Sequence, residues 1–426
     1  MQNDHHTMWE RLNLDVDAHD ALLEVLGKFY GDIYLSQQNR LKGAEYLDFV
    51  VSEIHGLRVK ELIEARNQGK KVIGTFCIFV PEEITIAADC IQVGLCAGAD
   101  AGKEYAEKIL PRNTCPLIKS FVGFKLARLC PFFESCDLIV GETTCDGKKK
   151  AYEVFSEYAL MYVMEVPQKK TKIDRELFKT EILNYIKKLE EITRKKITAQ
   201  DLKRGIEIVN NKRRVLQRLN QLRNFIPTPI SGRDVLLINQ ISFYDDPVRF
   251  TEKISQLCDE IEQKVKQNKG VTNGQPARIL VSGCPMAVPN WKLPYVIEGS
   301  NAVVVCEESC IGTRNTRDLV EEDKETFDEM VDAIVDRYLK IDCACFTPNE
   351  ERAQNVLDLV NKYKIDGIIF YNLTFCQPYA QENMKLASML NKKNIPTLNI
   401  ETDYSMEDVG QLKTRVEAFV EMISNK

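Results

Sequence analysis

The sequence predicts an α/β protein: two Rossmann-like, doubly wound domains of mainly parallel sheet that face a central cleft. Three observations support that fold class. From residue 71 onward, short apolar runs rich in β-formers alternate with helical stretches, as βαβ units do. The alternation occurs twice, with a charged helical stretch between the two rounds. The rounds also echo each other: VIGTFC-IFVPEE parallels ILVSGC-PMAVPN, IQVGLC parallels AVVVCEESC, and CDLIVGETTC parallels YKIDGIIFYNLTFC.

In chain order, residues 8–70 carry apolar side chains at helix spacing, so 1–70 is expected as a helical N-terminal segment. The first α/β domain is expected over 71–167, with strands at 72–77, 91–96, 137–145 and 160–166. Helices should open at Pro81-Glu82-Glu83 and at Lys148. Residues 168–230 are highly charged and poor in Gly and Pro up to Pro227 and Pro229. They read as a helical connection with solvated faces. The second α/β domain is expected over 231–426, with strands at 277–284, 302–310, 339–346, 366–376 and 397–404 and a closing C-terminal helix.

Bulk properties narrow the function. A chain of 426 residues exceeds one core, so two or three domains are expected. With 44% hydrophobic and 28% charged residues it reads as globular. A net charge of -6 argues against a nucleic-acid binder. No apolar run approaches the ~18 residues of a membrane span. The polar, acidic start MQNDHHTMWERLNLDVD does not read as a signal peptide, so a reducing cytoplasm is expected.

The 14 cysteines are the unusual feature. Disulfides are not expected in a reducing compartment. No C-x-x-C occurs, and the four histidines, at 5, 6, 19 and 55, all precede the first strand. The α/β body therefore lacks the usual zinc ligands and any Ser-His-Asp or Cys-His arrangement. Iron–sulfur ligation, thiol redox work and core packing remain. Nine thiols fall at strand ends or just beyond: Cys77, Cys96, Cys115, Cys145, Cys284, Cys310, Cys343, Cys345 and Cys376. Open α/β sheets bind ligands at the carboxyl ends of their strands, so two facing domains would bring these thiols to one cleft. Cys90, Cys136, Cys258 and Cys306 lie inside helix- or strand-like runs and read as core, while Cys130 fits either group.

A thiolate forms at lower cost beside positive charge. GETTCDGKKK places Lys148, Lys149 and Lys150 after Cys145; Arg112 and Lys119 flank Cys115; Arg314 follows Cys310. A helix starting after Cys145 would add its dipole. Glu82 and Glu83 suit a first helical turn, and Glu142 and Glu401 suit either an acid–base role or the surface. Neither G-x-G-x-x-G nor a P-loop is present, so the chain does not read as its own ATPase.

CIFVPEEI, GLCAGAD, LPRNTCPLIKS, GETTCDGKKKAYE, SGCPM, EESCIGTR, DCACFTPNEER, LTFCQPYAQE and IETDYSMEDVGQLKTRVEAF together resemble the 2-hydroxyacyl-CoA dehydratase / benzoyl-CoA reductase superfamily. The resemblance runs over about residues 70–423 and is nearest to the double-cubane-cluster branch. It implies iron–sulfur ligands at Cys115, Cys145 and Cys376 and a separate ATP-hydrolysing iron–sulfur activator. For the double-cubane branch it implies a homodimer, an [Fe8S9] cluster held by six thiolates, and reduction of small molecules such as acetylene, hydrazine or azide. Cys96, Cys310 and Cys345 are taken as the other three ligands because they end strands in both halves. Cys77, Cys284 and Cys343 stand in reserve. The resemblance leaves a second enzymatic reading, a dehydratase subunit with one [4Fe-4S] cluster acting on a 2-hydroxyacyl-CoA through a ketyl radical. Two further readings are a non-enzymatic electron-transfer module and an α/β binding protein with core thiols.

Overall fold

The computed structural model describes residues 5–272 and 274–425. The first sheet contains β1 (Val72–Thr75), β2 (Ile91–Gly94), β3 (Leu138–Glu142) and β4 (Met161–Met164). The second contains β5 (Ala277–Gly283), β6 (Ala302–Glu308), β7 (Gly367–Leu373) and β8 (Thr397–Thr402). Every pairing is parallel, and the orders are β2-β1-β3-β4 and β6-β5-β7-β8. The two rounds of the sequence thus share one strand order. β1, β3, β5, β6 and β7 are buried along their whole length. Parallel strands covered on both faces are built on near-continuous apolar runs, interrupted here by the buried Arg278 and Ser282 of β5 and by glutamates at the ends of β3 and β6.

In each sheet the chain leaves the first strand toward one edge and later returns on the other side, so the order reverses between β1 and β3 and between β5 and β7. This is the switch point where open α/β sheets bind ligands. Cys77 and Cys145 follow β1 and β3; Cys284 and Cys376 follow β5 and β7. Gly283, at φ +135°, makes the turn into Cys284, where an added Cβ would lie 2.2 Å from the Tyr371 carbonyl oxygen. Only glycine takes that conformation at low cost.

One expected strand does not form. Residues 340–349, which include Cys343 and Cys345, are irregular and join the helices Phe327–Leu339 and Glu350–Tyr363. The backbone turns on itself here: the Ile341 N–H bonds the Tyr338 carbonyl oxygen at 3.3 Å and the Phe346 N–H bonds the Cys343 carbonyl oxygen at 3.1 Å. Asp342 is held instead by side chains, with Arg317 at 3.2 Å and Asn355 at 2.6 Å.

The charged connection also differs from its expected solvated form. It contains the helices Lys172–Thr193 and Ala199–Leu222, opened by capping boxes at Thr171/Asp174 and Thr198/Asp201. The second helix is a buried strut. Gly205 lets it approach the Glu82–Ala87 helix so closely that an added Cβ would lie 2.1 Å from the Glu83 carbonyl oxygen. Arg213 pairs with Glu83 of the first half at 2.5 Å. Arg223 grips Glu307 of β6 with bonds of 2.6 and 2.7 Å. Pairs so desolvated add little net stability, but each fixes the register of the groups it joins. Among the described residues, no helix is long and apolar enough to cross a membrane.

Candidate functional site

The carboxyl ends of both sheets open onto a cavity of about 640 Å³. Cys77, Cys96, Cys115 and Cys145 from the first half line it, as do Cys284, Cys310, Cys343, Cys345 and Cys376 from the second. Cys90, Cys130, Cys136, Cys258 and Cys306 do not. The wall therefore contains all six thiols expected as ligands and the three in reserve, so lining alone does not choose six among nine. Cys343 and Cys345 reach it from the irregular loop.

Contacts between thiols cross from one half to the other. Cys77 bonds Cys310, and Cys376 bonds both Cys115 and Cys284. Within the loop, Cys343 bonds Cys345. Touching thiols share protons unequally. The bond from Cys345 brings Cys343 down to about 6, and that from Cys77 lowers Cys310. Cys77 and Cys345 are correspondingly pushed up. Burial pushes Cys96 up to about 12 and also raises Cys145. Cys96 has a second constraint: its thiol donates to the Phe76 carbonyl oxygen at 2.8 Å.

Cys115, Cys145 and Cys376 share a backbone role. They are the N-caps of the helices Pro116–Leu126, Asp146–Phe155 and Gln377–Asn391. The Cys145 sulfur accepts the Lys148 N–H at 3.4 Å. A helix N-terminus favours an anion through its unpaired N–H groups and its dipole. Sequence reading foresaw this for Cys145 only; the Cys-Pro of Cys115 and the Cys-Gln-Pro of Cys376 carry the same signal, since proline favours the first helical turn.

Two buried cations stand beside the thiols, one from each half. Lys148 lines the cavity and lies 3.6 Å from Glu142, which accepts a further bond of 3.3 Å from Tyr152. Burial works against the Lys148 charge, yet Glu142, Tyr152, Cys77 and Cys96 hold it well above the ordinary lysine range. Burial raises Glu142, against the pull of Lys148. Arg314 lies 3.8 Å from the Cys310 sulfur and is bonded by Glu308 and Tyr379. Tyr379 in turn lies 3.6 Å from the Cys343 sulfur. Of the other expected cations, Lys150 also lines the cavity but pairs with Glu153, while Lys149 pairs with Asp146 and Lys119 with Glu107. Arg112 and Glu401 are exposed.

The donor set decides what this wall can hold. Among the described residues, no three His, Cys, Asp or Glu side chains converge on a single ion position. A mononuclear site needs such convergence, whereas a polynuclear cluster takes thiolates on separate irons. A wall of nine thiols, helix N-termini and buried cations fits a polynuclear thiolate-bound anion.

Fold and wall together define a duplicated α/β protein with a thiol-lined cavity between its halves. The chain belongs to the family of the 2-hydroxyglutaryl-CoA dehydratase D-component, whose profile matches residues 77–423. It is 38% identical over 367 residues, 85% of this chain and 94% of the relative, to YjiM of Escherichia coli (strain K12), provisionally named a dehydratase subunit. It is 26% identical to the (R)-phenyllactyl-CoA dehydratase beta subunit of Clostridium sporogenes, over 83% of this chain and 92% of that one. To a benzoyl-CoA reductase subunit of Thauera aromatica it is 22% identical, over 82% and 88%. These relatives are enzyme subunits, dehydratases or reductases by name.

Proposed function

We propose that this chain is a low-potential reductase of small molecules that works at an [Fe8S9] double-cubane cluster and is supplied with electrons by a separate ATP-hydrolysing iron–sulfur activator. The observation that supports it is the number of thiols on one cavity wall: nine, where a single cubane has four irons to bind. Cys115, Cys145 and Cys376 hold one cubane, and Cys310 and Cys345 hold part of the other. The sixth thiolate is Cys96 or Cys77. The Cys96 thiol faces a carbonyl oxygen that would repel its thiolate, and Cys77 already touches Cys310, which favours Cys77.

When bound, such a cluster stores and passes electrons one at a time at low potential. The protein supplies the surroundings. Lys148 from the first half and Arg314 from the second offset the negative charge. Leu110, Val154, Phe243 and Val288 form an apolar wall that sheds water from a small, uncharged substrate. Two copies of the chain form the working homodimer, in a reducing, oxygen-poor cytoplasm. Anaerobic purification with iron and sulfide counting tests the reading: about eight irons per chain are expected. ATP-dependent acetylene reduction with the activator then tests the chemistry.

The relatives' names favour a second reading, a dehydratase subunit acting on a 2-hydroxyacyl-CoA. About four irons per chain, with dehydration of such a thioester, would select it.

A further inference from the structure

The proposed reduction consumes protons as well as electrons, and the route for those protons rests on that reading. Acetylene takes two electrons and two protons to become ethylene. The apolar stretch of the main cavity's wall, Leu110, Val154, Phe243 and Val288, has no hydrogen-bonding side chain. Behind Cys77, however, lies a second space of about 30 Å³. Thr75, Cys77, Ile78, Gly94 and Phe243 line both spaces, so a single layer of residues separates them.

The far wall of the small space is polar and contains Glu82, Gln92, Lys212 and Ser242. Its volume exceeds the ~10–15 Å³ that one water requires, and a water needs two to four polar partners. Lys212 is the central group. Its ammonium pairs with Glu82 and donates to the Ser242 carbonyl oxygen at 3.3 Å. An ammonium has three protons, so one remains for a water in this space. The Lys212 side chain is 6% exposed, whereas Glu82 is 19% exposed and touches solvent. Arg213 and Tyr338 also line this space, but the Glu83 they bond has no exposed surface and so no contact with solvent from which to take a proton. Glu82 is therefore the outward end of this polar path and Thr75 the inward end.

We propose that Glu82, Lys212 and a water in this space form a proton inlet to the thiol-lined cavity, separate from the mouth through which substrate enters. Lys212 gives a proton to the water. The water passes one of its own across the Thr75 hydroxyl to the reacting molecule. The Glu82 carboxyl group, charged with a proton from solvent, restores the ammonium. Two passes deliver two protons, matching the two electrons that arrive from the ATP-hydrolysing donor.

The test compares wild-type holoprotein with Lys212→Met and with Thr75→Val, a near-isosteric change that replaces the hydroxyl by a methyl group. Both variants should retain wild-type iron content and be reduced by the activator at the wild-type rate, seen as bleaching of the visible absorbance. Acetylene reduction should fall about a hundredfold, the scale of a lost general acid. The solvent deuterium isotope effect should grow. A crystal structure should show a water on the Lys212 ammonium in the wild type, lost in Lys212→Met. Iron-loaded variants with wild-type turnover and isotope effect, or a wild-type crystal with no water there, would overturn the inlet. Iron-free wild-type protein would instead overturn the functional reading on which it rests.

Discussion

Replacing Arg223 by Met tests how the strut helix holds the second sheet. Arg223 is fully buried, and its guanidinium makes bonds of 2.6 and 2.7 Å to Glu307 and one of 2.8 Å to the Val304 carbonyl oxygen. Glu307 is 1% exposed. The substitution therefore leaves a carboxylate inside β6 with neither water nor a cation. Breaking a buried pair in this way costs about 3–5 kcal/mol. A domain has only about 5–15 kcal/mol in hand, so the loss should be plain in urea unfolding followed by fluorescence of the buried Trp291. Arg223→Met combined with Glu307→Met removes both charges and should recover most of the loss. Because Glu307 lies three residues before Cys310, the single variant should also bind less iron than the double. A single variant within about 1 kcal/mol of wild type would refute the reasoning, since that is the worth of a surface pair.

Four further outcomes are expected. His19 and His55 are held down by burial, to about 4 and about 3, and their rings bond at 3.0 Å. Unfolded imidazoles take up protons below about 6.5 that the folded ones refuse, so stability of the N-terminal helices falls as pH drops from there toward 4. The loss should reach about 2 kcal/mol per histidine at pH 5. Fluorescence of Trp9, whose ring lies 4.3 Å from that of His19, should report it, and an unchanged signal from pH 7 to 5 would count against it. Gly283→Ala should cost about 1–3 kcal/mol or more through backbone strain at φ +135°, read as a lower urea midpoint; an unaltered midpoint would contradict the close approach to Tyr371. Cys77→Ala should lose iron and Cys96→Ala should keep it, with the reverse result returning the sixth ligand to Cys96. Lys148→Met should shift the cluster's midpoint potential negative in an EPR-monitored titration, because a buried cation no longer favours the added electron; an unmoved potential would remove Lys148 from that role.

Most of the architecture was legible because its signals are local. Parallel strands buried on both faces announce themselves as apolar runs, and the echo between GETTC and NLTFC anticipated a shared strand order. The cysteines at strand ends were legible for the same reason, since a strand's end fixes where its next side chain goes. Other features depended on tertiary partners. LKIDCACF has the composition of a strand, but the Arg314, Arg317 and Asn355 side chains claim Asp342 and hold the segment as a loop. The helix from Ala199 to Leu222 is so rich in Lys and Arg that its faces read as solvated. What buries Arg213 and Arg223 is a pair of carboxylates, Glu83 and Glu307, from segments 130 and 84 residues away in sequence. Tyr379, and Arg352, which bonds Glu308, the carboxylate paired with Arg314, at 3.1 Å, gave no signal that a spacing rule could detect.

The division of the thiols between the halves dictates when this protein can mature. Cys77, Cys96, Cys115 and Cys145 leave the ribosome early, but Cys376 follows Cys77 by about 300 residues. At a synthesis rate of ~5–20 residues per second that interval is about 15–60 seconds. Throughout it, a folded first half presents four thiols with no opposing wall. On the proposed reading, metal insertion is an event of the finished chain, and the nascent chain passes through a window in which its sulfurs are open to oxidation before a cluster can cover them.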